Sequence, residues 1–187
     1  MAATMRWMDR RKVTGALMLG VVAGVIASLA ERVDAALTGG RFTPLGYVNT
    51  YMWVLVSCML FGPLLGPIIT TEVQAFIGLV TYANPLSWLW PIVNLVFAVT
   101  AGLVYMGIER FHPRAKLITR IVLVSVSLAV LDIPMVYVVV VLVLGLPFIV
   151  YLASLPIYVV LQLVPTTFLA YGVIKAIMRT GILGFGK

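Results

Sequence analysis

The sequence predicts an all-α integral membrane protein, a bundle of six transmembrane helices with both termini in the cytoplasm. Of its 187 residues, 63% are hydrophobic and 10% are charged, whereas a soluble domain is about 45–50% apolar and about 25% charged. Six apolar runs reach or approach the roughly 20 residues that cross the hydrocarbon core of a bilayer. Basic residues cluster in the segments that this arrangement places in the cytoplasm.

One transmembrane domain, residues 1–187, is expected to contain all the spans. The last span is longer than a single crossing needs, and Pro156 and Pro165 are expected to kink it or to let it project into the cytoplasm. The valine-rich residues 136–143 are interpreted as helix in lipid, because apolar residues flank them on both sides. The predicted spans are residues 13–30, 45–61, 64–82, 86–108, 117–144 and 148–178.

The net charge of +7 is interpreted as a membrane orientation signal, since cytoplasmic loops are enriched in lysine and arginine. No face repeats basic residues with interleaved aromatics, so no nucleic-acid partner is expected. With both termini inside, the connections after the third and fifth spans are external, and neither carries Lys or Arg. This pattern favours six spans over five or seven and predicts a multi-pass protein of the cell membrane. The basic clusters are Arg6, Arg10, Arg11 and Lys12 before the first span, and Arg110, Arg114, Lys116 and Arg120 after the fourth.

Two acidic residues lie inside predicted spans, Glu72 in the third and Asp132 in the fifth. A charge at such a depth is costly unless it is paired, protonated or faces a polar cavity. Asn94 and Gln162 add polar groups at comparable depth in the fourth and sixth spans. These residues predict a substrate pocket in the outer half of the bundle. The alternative is that they form hydrogen bonds between helices and only fix the packing.

Aromatic residues gather at the predicted outer edge, where an interfacial aromatic belt explains most of them. Trp88 and Trp90 flank the short external loop after the third span and offer rings on which a flat or cationic ligand could stack. The single cysteine, Cys58, and the single histidine, His112, exclude an intrachain disulfide and a zinc centre. His112 and the buried acids belong on opposite sides of the membrane. No enzymatic activity, catalytic residue, metal or cofactor is therefore expected.

The first span carries small residues four positions apart, which share one helix face and allow another helix to approach closely. They are Ala16, Gly20, Gly24 and Ser28. Two interpretations stay open at this point: packing within the same bundle, and docking of a separate membrane subunit.

Three segments resemble those of the S component, the substrate-binding membrane subunit, of energy-coupling-factor (ECF) vitamin transporters. Residues 61–67, FGPLLGP, are similar to the FGPxxG-type entry of the third helix in that family. Residues 84–105 resemble its external loop and fourth helix. Ala16, Gly20 and Gly24 are similar to its AxxxA-type docking face, with glycine in place of alanine. The resemblance covers most of the chain in span count, orientation and loop lengths.

The resemblance implies a six-helix protein that captures a vitamin or precursor from outside, while two ATPase subunits of a separate coupling module hydrolyse ATP. It implies docking of the transmembrane coupling subunit on the AxxxA-type face. It also implies a pocket near the outer surface, walled by later helices and covered by the first external loop. Mapped onto this chain, the pocket residues are Glu72, Trp88, Asn94 and Asp132.

Two buried acids without a buried basic residue in the outer half favour a neutral or cationic ligand, with a thiamine-like or pyrimidine precursor as the specific expectation. An anionic vitamin would depend on Arg32 or Arg41 in the first external loop. Two other functions fit the same sequence. One is a stand-alone ion-coupled carrier with Glu72 or Asp132 as its proton site. The other is a non-catalytic accessory subunit of a membrane complex.

Overall fold

A computed structural model of the chain describes residues 10–39, 42–81 and 86–180. All regular structure in these residues is helical, and they contain no strand. The expected all-α class is therefore confirmed for this part of the chain. Arg6, Arg41 and the first two residues of the segment 84–105, Asn84 and Pro85, lie outside the described residues.

Six helical stretches follow one another in the described residues. Five are long and apolar enough to cross a membrane, and the third, with 17 residues, is a shorter apolar helix. The chain is thus a multi-pass membrane protein. The stretches are α1 (Arg10–Thr38), α2 (Pro44–Phe61), α3 (Leu65–Thr81), α4 (Trp90–Phe111), α5 (Leu117–Tyr137), and a last one that contains α6 (Phe148–Leu161) and α7 (Thr167–Thr180).

Each of the last two stretches contains a segment of wider, π-helical turns. One, Val138–Val143, continues α5, and the other, Gln162–Thr166, joins α6 to α7. Pro134 lies four residues before the first segment, and Pro165 lies within the second. Proline has no N–H and displaces the carbonyl one turn before it, which favours such local rearrangements. The valine-rich residues are therefore helical, as expected.

Helix α2 occupies the centre of the bundle and contacts all the other α-helices. Its consecutive residues Val54, Leu55 and Val56 are all fully buried. Three successive residues of a helix point in three directions about 100° apart, so only a helix surrounded on all sides can bury them all. Within the described residues, the remaining helices pack around α2 in the order α1, α3, α4, α5 and α6–α7, with no contact between α1 and the last stretch. Their outer faces carry exposed apolar side chains.

The small-residue face of α1 packs against α3. A Cβ added at Gly20 would lie 2.8 Å from the carbonyl oxygen of Thr70, and one added at Gly24 would lie 2.9 Å from the Cβ of Ile77. The close approach lets the Thr70 hydroxyl donate a hydrogen bond of 3.1 Å to the Ala16 carbonyl. Within this structure the face is covered, as the packing interpretation expects. A separate subunit would have to displace α3 to dock on Ala16, Gly20 and Gly24.

Helix α1 also continues well beyond residue 30, through Glu31 and Asp34 to Thr38. Asp34 is only 1% exposed, and its carboxylate accepts hydrogen bonds from the backbone N–H groups of Leu45 (3.2 Å) and Gly46 (2.9 Å). These N–H groups belong to the first turn of α2, where no intrahelical acceptor exists. The residues just after the predicted end of the first span are therefore helical, and the two acids among them, Glu31 and Asp34, are buried.

Candidate functional site

A small cavity lies among α1, α2, α3 and α4, near the end of the bundle where α1 ends and α2 and α4 begin. We refer to it as the α1–α4 cavity. Its volume of about 50 Å³ accommodates one or two water molecules. The polar and large aromatic side chains among its lining residues are Glu31, Thr43, Tyr47, Thr50, Tyr51, Gln74, Trp90 and Asn94.

Within the part of the chain that the structure describes, three polar atoms of the lining residues are buried without a hydrogen-bond partner: Oε2 of Glu31, Oε1 of Gln74 and Nε1 of Trp90. The Trp90 indole lies beside the Glu31 carboxylate, but the two do not reach hydrogen-bonding geometry. Unpaired buried groups are rare in native proteins and cost about 1–3 kcal/mol each. Here α1, α3 and α4 each bring one to the same cavity. Two acceptors and one donor are thus available to a hydrogen-bonding ligand.

Two amide side chains of the cavity are held by hydrogen bonds to neighbouring helices. The Gln74 amide nitrogen donates to the Thr50 hydroxyl of α2 at 2.5 Å. The Asn94 amide nitrogen of α4 donates to the Thr71 carbonyl of α3 at 3.3 Å. These bonds immobilise both amides before any ligand binds, and they leave Oε1 of Gln74 free as an acceptor.

Tyr47 joins the cavity to a second group of buried side chains, which we call the acid–tyrosine cluster: Asp132, Tyr47, Tyr51 and Tyr158. The Tyr47 hydroxyl donates a hydrogen bond to the Asp132 carboxylate of α5. The Tyr47 ring packs against Tyr51 and Tyr158, with centroid distances of 4.3 and 5.0 Å. The cavity and the cluster therefore form one continuous polar and aromatic region that extends from α1 to α6.

The four predicted pocket residues occupy different positions relative to this region. Asn94 lines the cavity, and Asp132 reaches it through Tyr47. Trp88 does not line it; this residue is 56% exposed in a 3₁₀ turn, Ser87–Leu89, before α4. Glu72 does not line it either. The structure thus brings the side chains of Asn94 and Asp132 to this region but not those of Glu72 and Trp88.

Helical geometry explains the differences. Positions two apart on a helix are rotated by about 200°, so Gln74 lines the cavity while Glu72 lies on the opposite side of α3. Phe76, one turn after Glu72, is 65% exposed, whereas Glu72 is only partly exposed and its Oε1 is buried without a hydrogen-bond partner among the described residues. At the start of α4, Trp90 lines the cavity in place of Trp88.

Several cavity residues, Gln74 and Glu31 among them, were not selected from the sequence. Glu31 was placed just beyond the first span, which was expected to end at residue 30. A signal for it was present. The small residues Gly24 and Ala27 are followed by Glu31 and Asp34 at spacings of three, four and three, which continue the buried face of α1. An acid on the extension of a close-packed face is expected to be buried.

The resemblance implies a pocket walled by later helices, whereas α1–α4 enclose this cavity. Later helices contribute Asp132 and Tyr158 of the acid–tyrosine cluster. They also contribute two fully buried side chains, Gln162 and Thr166, in the π-helical segment between α6 and α7. Both amide atoms of Gln162 and the hydroxyl of Thr166 are without hydrogen-bond partners.

Comparison of the chain with protein-family models, with curated proteins and with solved structures finds no match.

Proposed function

We propose that this chain is a membrane-embedded capture subunit for a small molecule, and that separate ATP-hydrolysing subunits drive release of the molecule into the cell, as in ECF importers. The observation that carries the proposal is the convergence of three unpaired buried polar atoms, from Glu31, Gln74 and Trp90, on one cavity. The similarity of residues 61–67 to the S-component helix entry supports the transport context.

The proposal includes six crossings with both termini in the cytoplasm. Helix α3, with 17 residues, is about 26 Å long, close to the roughly 30 Å of the hydrocarbon core. The exposed basic residues Arg110, Arg114 and Lys116 lie where α4 ends and α5 begins. The α1–α4 cavity adjoins the opposite end of α4. If the basic end faces the cytoplasm, as the distribution of charges in membrane proteins favours, the cavity opens towards the outside.

The cavity also restricts the chemistry of the ligand. Among the residues that the structure describes, it is lined by the carboxylate of Glu31 and by no Lys or Arg, which favours a neutral or cationic molecule with hydrogen-bond donors. The rings of Tyr47, Tyr51 and Trp90 suit a flat heterocycle, and a thiamine-related compound is the specific proposal. Small-molecule sites usually measure about 300–1,000 Å³, so binding must widen a cavity of about 50 Å³.

The first test is native mass spectrometry of the purified chain, which identifies small molecules that copurify with it. Replacing Glu31 with glutamine removes the charge but keeps the shape of the side chain. Hydrogen bonds to a charged group contribute about 1.5–3 kcal/mol, so E31Q is expected to weaken binding of the identified molecule about 10- to 100-fold. The matched control is E72Q, the same substitution on the side of α3 that faces away from the cavity, for which we expect unchanged affinity.

Three outcomes would contradict the proposal. If E31Q and E72Q both bind like the original chain, the cavity is not the binding site. If the chain alone accumulates the molecule in liposomes without other subunits, it is an ion-coupled carrier. If it copurifies with other membrane proteins and retains no small molecule, it is an accessory subunit.

A further inference from the structure

A groove of about 460 Å³ lies beside the connection between α4 and α5, at the end of the bundle opposite the α1–α4 cavity. Its walls include Phe111, His112, Arg114, Thr119 and Leu123. We propose that this groove, which we call the α4–α5 groove, binds an anionic phospholipid, with the phosphate near Arg114 and Lys116 and one acyl chain along α5.

A single side chain holds the backbone beside the groove in place. The Arg120 guanidinium donates hydrogen bonds to the carbonyls of Ala115 (3.0 Å) and Pro113 (2.6 Å). It also donates to the Tyr105 hydroxyl at 3.2 Å and to the Glu109 carboxylate at 3.3 Å. The positive charge of Arg120 is therefore balanced by partners within the protein. These bonds hold the connection between α4 and α5 in place before any lipid binds.

The neighbouring basic residues Arg114 and Lys116 differ from Arg120 in this respect. Arg114 and Lys116 are exposed, and their side chains form no hydrogen bond or ion pair with another part of the chain that the structure describes. Glu109, the acid nearest in sequence, already forms an ion pair with Arg120. The mouth of the groove therefore carries unneutralised positive charge, which suits a phosphate group.

The apolar wall of the groove indicates a lipid in preference to a soluble anion or an acidic peptide. Leu123 and Phe111 are both exposed, and the exposed side chains Val126 and Val130 continue the line of Leu123 along α5. An acyl chain would cover this apolar line while its headgroup stays at the basic mouth. A soluble phosphate would leave the line uncovered. The site lies far from the α1–α4 cavity and does not depend on what that cavity binds.

The test uses the full chain in mixed micelles that contain equal amounts of phosphatidylglycerol and phosphatidylcholine, with retained lipids counted by native mass spectrometry. We expect selective retention of one phosphatidylglycerol molecule. The double variant R114Q/K116Q is expected to retain it about 30-fold less tightly, given the usual contribution of each basic residue near an anionic surface. The control K175Q/R179Q removes two exposed charges of α7 at the same end of the bundle and should retain the lipid normally.

Equal loss in the two double variants would show a general effect of surface charge and overturn the proposal. Equal retention of the two lipids by the unmodified chain would overturn it as well. Glycerophosphate, which has the headgroup chemistry without acyl chains, should not displace the lipid at equal concentration; displacement would mean that the apolar line contributes nothing. Displacement by polyglutamate, with no preference between the two lipids, would instead assign the surface to an acidic segment of a protein partner.

Discussion

Replacing Gly20 with leucine is expected to lower the free energy of unfolding of the chain by about 3 kcal/mol, because overpacking of a close helix contact costs about 1–3 kcal/mol and sometimes more. At this position even a Cβ would lie 2.8 Å from the Thr70 carbonyl oxygen and from the Cβ of Val73. Neither atom is at the flexible end of a side chain, so α1 and α3 must separate. Reversible unfolding in mixed detergent micelles measures the effect.

The matched control is G107L, at a helical glycine of α4 where an added Cβ meets no atom within 4 Å. We expect this variant to unfold like the original chain. The comparison also tests the two interpretations of the small-residue face. If G20L has normal stability but fails to associate with a coupling subunit, then the face serves docking, and the packing of α1 on α3 described above is not its main role.

Replacing Asp34 with alanine is expected to cost about 3 kcal/mol of folding free energy. The substitution removes the acceptor of two backbone N–H groups, those of Leu45 and Gly46, in the first turn of α2. Each unpaired buried donor costs about 1–3 kcal/mol, and a carboxylate at a helix N-terminus also interacts favourably with the helix dipole. The same unfolding measurement in detergent detects the loss.

Two further variants make this expectation specific. D34N keeps one acceptor oxygen and should recover part of the lost stability. V33A changes the exposed neighbour of Asp34 and should have little effect. If D34A unfolds no more easily than V33A, the carboxylate does not hold the start of α2, and the attachment of α1 to α2 at this end of the bundle must come from other contacts.

Hydropathy alone was sufficient to predict the class of the fold and the approximate position of its helices. It was not sufficient to predict which side of each helix faces the protein. In a bilayer both the lipid and the protein interior are apolar, so the pattern of hydrophobic residues does not distinguish the two. Glu72 and Gln74 illustrate the problem: both lie within α3, and only the packing of α1 and α4 shows that Gln74 lines the cavity.

The length of α1 was the other feature that the sequence did not reveal. A charged stretch normally ends a span, because charges in the hydrocarbon core are costly. Asp34 does not end the helix, because its carboxylate accepts hydrogen bonds from the N–H groups at the start of α2. These groups belong to Leu45 and Gly46, which lie eleven and twelve positions further along the chain. A hydropathy profile does not contain such a long-range contact. Asn94, by contrast, could be selected from its type and depth alone.

Neighbouring helices of very different length have a consequence for the surrounding lipid. Helix α1 has 29 residues and α3 has 17, which correspond to about 44 and 26 Å. If α3 crosses the membrane, as proposed, a bilayer of one thickness cannot match both lengths, so α1 must tilt or protrude while the bilayer becomes thinner beside α3. The heat resistance of the protein is therefore expected to vary with the acyl-chain length of the host membrane and to be greatest in thin bilayers.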